Sequence, residues 1–246
     1  MPIYWLRRFA LQIQQKGKAI EKNKIYNIHK MQFLHPFALP TLLLLSALGS
    51  MGQSDCELRK NKDSIKVYTC KTGLSKFKAI KVTFTVNATY SEFVAMLLDI
   101  ENFNHWQYKI SHAHVLQQIS DEELIYYAEV EAPWPVSNRD IIIEMKITQD
   151  PVTHWVTVRG NSLPDYLPKK DHFVRVPTSQ SIWILKSIKR SQIQAEYDIQ
   201  VDPGGSVPAW LINIFAADGP YQTFRAFKDK IHSHKNRGAS FIADQK

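Results

Sequence analysis

The chain has 246 residues, 44% of them hydrophobic, which is enough for one sizeable domain, or two small ones, with a real core. Its formal charge of +8 suggests a polyanionic partner, but +6 of it lies in residues 1–52, where Arg7, Arg8, Lys16, Lys18, Lys22, Lys24 and Lys30 are offset only by Glu21. The remaining +2 leaves no nucleic-acid footprint on the body of the chain, and two cysteines without a CxxC give no zinc framework.

The basic head runs into MQFLHPFALPTLLLLSALGSMGQSDC, whose apolar stretch spans Phe37 to Leu48. Twelve positions at 1.5 Å each fall short of a hydrocarbon core of about 30 Å, yet they suit the apolar core of a secretory signal. Residues 1–52 are therefore expected to be a basic leader and export signal cleaved after Gly49 or Gly52, with Met31 as a possible true start. The alternative is a retained, weakly anchored helix. Export would make the mature protein periplasmic or secreted. Asp55 stands where a lipidation site at Cys56 needs a small residue. Cys56 and Cys70 could close a loop worth roughly 3 kcal/mol in an oxidising compartment, or they are two buried thiols.

From Ser64 the chain reads as strands. IKVYTCK (65–71) and FKAIKVTFTV (77–86) alternate, the second with Ile80, Val82, Phe84 and Val86 on one face and Ala79, Lys81, Thr83 and Thr85 on the other. TYSEFVAMLLDI predicts a short helix, because Thr89 and Glu92 spell a capping box and Phe93, Met96, Leu97 and Ile100 recur at helical spacing. Strands resume after ENFNHWQY at about 109–118, 123–131 and 138–149. Tyr126, Ala128 and Val130 oppose a wet face of Tyr127, Glu129 and Glu131; Ile141, Ile143, Met145 and Ile147 oppose Ile142, Glu144, Lys146 and Thr148. Between these two strands lies EVEAPWPVSNRDIIIE, in which Pro133 and Pro135 have no N–H for a ladder, so the segment must be a corner. Further strands are expected at about 152–159 and 180–188, and QIQAEYDIQV turns Ile193, Ala195, Tyr197, Ile199 and Val201 inward. DPGG at 202–205 ends the sheet. Val207, Trp210, Leu211, Ile214, Tyr221, Phe224 and Ile231 then mark a long amphipathic helix with a kink or restart at Asp218-Gly219-Pro220. Residues 53–235 form one domain on this reading, and 236–246 are expected to be a flexible tail.

A one-sided antiparallel sheet clasped by a C-terminal helix is the outline of the α+β helix-grip fold. SIKVYTCK, PWPVSNRD and DPGGSVPAWLIN, in that order, together resemble the START (steroidogenic-acute-regulatory-related lipid transfer) domains of the Bet v 1-like superfamily over about residues 58–232. The resemblance implies a curved antiparallel β-sheet wrapped around the C-terminal α-helix, enclosing a tunnel for one hydrophobic ligand. The lining would come from Tyr126, Ala128, Val130, Ile141, Ile143, Met145, Tyr197 and Ile199 on the sheet and Trp210, Ile214 and Phe215 on the helix. A dry core would use the same composition. A chain of about 16 methylenes costs on the order of 13 kcal/mol in water, so a carrier must bury it almost completely. A monomer making transient membrane contact follows from that role.

Cholesterol-type members place an acid and an arginine inside the tunnel, at positions that fall on Tyr126 and Met145 here in an ungapped register from Arg139-Asp140. The ion pair is missing, which leaves the Tyr126 hydroxyl as the expected polar contact. Arg139 and Asp140 match the family motif and either tie the corner to its neighbour or meet the ligand. Trp134 either touches a membrane or plugs the end of the sandwich. No GxSxG, HExxH or glycine-rich phosphate loop is present, and no catalytic residue, cofactor or metal is assigned. His112-x-His114 would share a strand face but spacing supplies no third ligand; it and His232-x-His234 read as solvated. The alternative function is a cyclase or hydratase of the kind found among helix-grip proteins, with His105 or His154 as its acid or base.

Overall fold

A computed structural model of the chain describes residues 56–71, 77–207, 212, 216, 218–234 and 238–244. The expected leader and export signal lie outside the described residues. Ten strands form the sheet: β1 (Cys56–Lys62), β2 (Ile65–Cys70), β3 (Ala79–Val86), β4 (Ile110–Ser120), β5 (Glu123–Val130), β6 (Asn138–Gln149), β7 (Val156–Ser162), β8 (Phe173–Arg175), β9 (Thr178–Lys189) and β10 (Gln192–Asp202). Their spatial order is β1-β2-β3-β10-β9-β7-β6-β5-β4, with β8 alone running parallel, beside β6. Among the described residues two α-helices accompany the sheet, α1 (Tyr90–Leu98) and α2 (Gly219–Lys230), in the architecture expected of a helix-grip fold.

Local chemistry accounts for most boundaries. Thr89 Oγ1 accepts the Glu92 N–H while the Glu92 carboxylate accepts the Thr89 N–H, so α1 starts on a complete capping box. Pro220 stands in the first turn of α2, where its missing N–H costs nothing. The strand expected from 152 begins instead at Val156. The Asp150 carboxylate accepts the N–H groups of Val152 and Thr153 at 2.9 and 2.6 Å and folds 150–154 into a turn. Strand β1 carries no apolar alternation, and its Leu58 is 49% exposed. It exists through pairing with β2, where Cys56 lies opposite Cys70 and the two sulfurs are bonded.

The concave side of the sheet is covered by α1 and α2. Tyr221, Phe224 and Phe227 share one buried face of α2, and Ile231 continues it. Phe93 and Phe227 have ring centroids 4.7 Å apart, Phe84 and Phe224 5.1 Å, Trp106 and Phe227 5.1 Å, and Phe93 and Trp183 5.5 Å. These spacings are those of attractive aromatic pairs.

The convex side corrects one expectation. Tyr127 and Ile142, assigned above to wet faces, are buried with Ile125 in a second small cluster under Leu116 and Leu163. The cause is Asp140, 0% exposed, which accepts Nε and Nη2 of Arg175 at 3.0 and 2.8 Å. Arg175 also donates to the carbonyls of Pro164, Leu167 and Pro168, and so draws that loop over the outer face. The tail is a second correction. Its described part, residues 238–244, is docked: Ala239 and Ile242 are buried, the Asp244 carboxylate accepts the Ser91 N–H at 2.9 Å, and the Gln149 amide exchanges two 2.8 Å bonds with the Ala243 backbone. Ala239, Phe241, Ile242 and Ala243 fall in too short a segment to show a period, which is why fraying was expected.

Asp140→Ala leaves the Arg175 guanidinium buried and unpaired, so it is expected to lower unfolding free energy in urea by about 3–5 kcal/mol. Asp140→Ala/Arg175→Met, which removes both charges, should recover a substantial part of that loss.

Candidate functional site

Cross-strand register builds the site. One transverse row of the sheet runs Met145, Gly160, Ser181, Ile199, Ile80, Thr69, and the next runs Ile147, Val158, Trp183, Tyr197, Val82, Val67. The first row is narrow at its centre, where Gly160 faces Ser181. A Cβ on Gly160 would stand 2.6 Å from Ser181 Oγ and 3.3 Å from Ile143 Cγ2, so only glycine lets these strands keep their present side chains.

Beneath α2 this notch opens into a cavity of about 90 Å³. Aromatic rings of Phe103, Trp106, Tyr126, Trp183, Tyr197 and Phe224 line it, with Ile143 and Met145 below. The polar groups at its wall are Gln107, Ser181, Thr223 and the two phenols. Thr223 is fixed by accepting the Tyr108 N–H at 3.0 Å, which also ties α2 to the segment before β4. Burial pushes the Tyr126 and Tyr197 phenols well above their ordinary range, and for Tyr197 the nearby Tyr126 adds to the shift while a hydrogen bond with Ser181 opposes it. In the first row, Thr69 is buried and its hydroxyl has no hydrogen-bond partner among the described residues.

This cavity is smaller than the pockets of about 300–1,000 Å³ that take whole ligands. The rings of Phe84, Phe93, Phe224 and Phe227 pack together in the core beside it. Composition does not separate this packing from a lining, because both need apolar side chains on the concave face.

Tyr126, Ile143, Met145 and Tyr197 do meet at the cavity. Ala128 and Ile141 pack in the surrounding core, while Val130 and Ile199 are half-buried away from the lining. Trp210, Ile214 and Phe215 lie outside the described residues. Asp140 is engaged with Arg175 on the opposite face, and Arg139, whose guanidinium is held below its usual range by burial, donates to the Ser137 carbonyl. Both therefore organise the corner. Trp134, preceding a cis proline, is 91% exposed and plugs nothing. His105 and His154 are exposed and neither lines the cavity. Gln107, Gly160, Ser181, Trp183 and Thr223 were not singled out from the sequence; a glycine inside a strand was the available signal, since it marks close approach.

Comparison with known proteins agrees with this fold. The family model described as START domain matches residues 55–237. An uncharacterized protein of Pseudomonas aeruginosa is 27% identical over 192 residues, covering 76% of this chain and 94% of its own. Human phosphatidylcholine transfer protein is 26% identical over 181 residues, covering 69% of this chain and 80% of its own. The crystal structure of a STAR-related lipid transfer protein fragment from Xanthomonas axonopodis superposes with a TM-score of 0.66 at 29% identity, covering 72% of this chain and 99% of that one.

The raised phenols make stability depend on pH. An unfolded tyrosine loses its proton near pH 10, while Tyr126 and Tyr197 hold theirs in the folded chain, so above that pH the unfolded state binds fewer protons and stability falls as pH rises. Urea midpoints measured from pH 9 to about 11.5 should decline, and Tyr126→Phe/Tyr197→Phe should flatten the decline.

Proposed function

The chain belongs to the START domain family, and on that premise we propose that it binds one lipid between the concave sheet and α2 and carries it between membranes. The observation that carries the reading is the cavity under α2, whose wall is aromatic and apolar with a few neutral polar groups. Such a wall accepts a lipid and offers little to a free ionic metabolite. Among the described residues its lining holds no carboxylate, histidine or lysine, which favours a carrier over a cyclase or hydratase.

The acyl part needs more room than the closed form offers, so loading requires α2 to move away from the sheet. Exposing Phe224 and Phe227 costs about 1.5–3 kcal/mol each, and enclosing a chain of about 16 methylenes during the crossing between membranes avoids on the order of 13 kcal/mol of contact with water. Helix α2 is otherwise held to the β1–β2 hairpin by exposed contacts, among them Lys60 to Asp218 at 2.6 Å, which contribute little in water. The rings of Trp106, Tyr126, Trp183 and Tyr197 suit a quaternary ammonium head through cation–π attraction, consistent with the named activity of the human relative. The unpartnered Thr69 hydroxyl is a candidate contact for a polar ligand atom or a water.

Trp134 on the exposed corner is the proposed membrane contact, given the preference of tryptophan for the bilayer interface. We place the carrier, as a monomer, in an oxidising export compartment, where the Cys56–Cys70 bond would persist.

After incubation with phosphatidylcholine vesicles, native mass spectrometry should find one unaltered lipid per chain, with about tenfold preference over phosphatidylglycerol if cation–π recognition operates. Trp134→Ala should slow transfer between vesicles several-fold and leave the loaded fraction at equilibrium unchanged. No adduct from either lipid, or a bound mass that has been chemically changed, would overturn the carrier reading.

A further inference from the structure

Outside the cavity, the most developed side-chain cluster lies on the outer face of β4, a strand at one end of the sheet. His112 and His114 are two residues apart and therefore share a face. His114 Nδ1 lies 3.1 Å from His112 Nε2, with ring centroids 5.0 Å apart. Across the β4–β5 ladder His112 is opposite Glu129 and His114 opposite Tyr127, whose ring is 5.3 Å from that of His114. The lipid-carrier reading makes no use of this arrangement.

We propose that His112 and His114 form a surface chelate for one borderline divalent transition cation, of the Zn²⁺, Ni²⁺ or Cu²⁺ class, with water completing its coordination. The spacing of the two nitrogens is the argument. Imidazole nitrogens sit about 2.0–2.1 Å from such a cation, and two of them 3.1 Å apart subtend about 100° at it. That angle falls between the right angle of a square-planar or octahedral site and the tetrahedral angle, so the strand already holds the pair at a chelating bite. A cation would replace the hydrogen bond between the rings, with the donating ring moving its proton to its other nitrogen and rotation about the soft χ2 aiming both lone pairs at the cation. In the metal-free protein one ring N–H donates to the other ring, which fixes both rings near that arrangement.

Across the ladder Glu129 places a carboxylate beside His112, its charge offset by the Lys170 ammonium. That carboxylate is itself held by the Tyr127 hydroxyl at 3.1 Å and by Lys170 Nζ at 2.6 Å, so it acts as an oriented outer charge and leaves the inner sphere to the two imidazoles. Among the described residues no group of three or more His, Cys, Asp or Glu side chains is placed to hold a metal ion. The inferred site is thus an exchangeable two-histidine site, distinct from a closed structural one.

Isothermal titration of the whole protein with ZnCl₂, NiCl₂ and CuCl₂ at neutral pH tests the inference. The expected result is one cation per chain, tightest for Cu²⁺ as the Irving–Williams order requires. His112→Gln/His114→Gln should weaken Zn²⁺ binding at least about tenfold with unchanged thermal unfolding of the metal-free protein, and His232→Gln/His234→Gln should leave it unaltered. Binding that survives in the first double variant, or no binding by the wild type up to about 1 mM Zn²⁺, overturns it. Lipid loading measured on the same variants should not change, which separates this outcome from that of the carrier proposal.

Discussion

The curved sheet has one face that water cannot be allowed to reach, and the side chains of Phe224 and Phe227 are what cover its middle. They enter between Phe84, Phe93 and Trp183 and turn a concave surface into a nearly solid interior. Ring pairs of this kind add to the burial of the rings themselves. The remaining space is small, aromatic and dotted with hydroxyls, and it sits where Gly160 lets the strands stay close beneath their neighbours' side chains.

The other attachments hold the parts of the domain around this cover. The buried Asp140–Arg175 pair fixes the convex side and its loop. Gln149, Ser91 and Asp244 hold the described tail against α1 and β6, and the Cys56–Cys70 bond closes the far edge of the sheet. The start of α2 meets the β1–β2 hairpin through Lys60 with Asp218 at the surface and through the buried Tyr221 with Asp63, and Thr223 ties it to the Tyr108 N–H. These few polar ties and the apolar face are what the proposed cover would have to release.

Much of this was legible in the chain. Alternation gave most of the strands, Thr89 and Glu92 gave the start of α1, and the proline-flanked Trp134 gave the corner between β5 and β6. What escaped detection depended on partners distant in sequence. Strand β1 has no apolar period and exists only beside β2; Ile142 looked solvated until Arg175 drew a loop across it; Ala239 and Ile242 carry too little apolar surface to announce their docking. The cavity was half legible. Tyr126, Ile143, Met145 and Tyr197 followed from strand phase, but Ser181 and Gly160 matter through a close approach between neighbouring strands, and Thr223 through a bond to a backbone 115 residues away. Whether apolar residues enclose space or fill it is a matter of packing that periodicity cannot express.

The account rests on α2 leaving the sheet when a lipid enters. Hydrogen–deuterium exchange of the α2 amides, followed with and without phosphatidylcholine vesicles, reads that motion directly. Exchange across Gly219–Lys230 should rise markedly during transfer while the amides of β3, β9 and β10 stay protected. Lipid uptake with α2 as protected as in the free protein would mean that the ligand enters by another route, and the proposed cover would not be one.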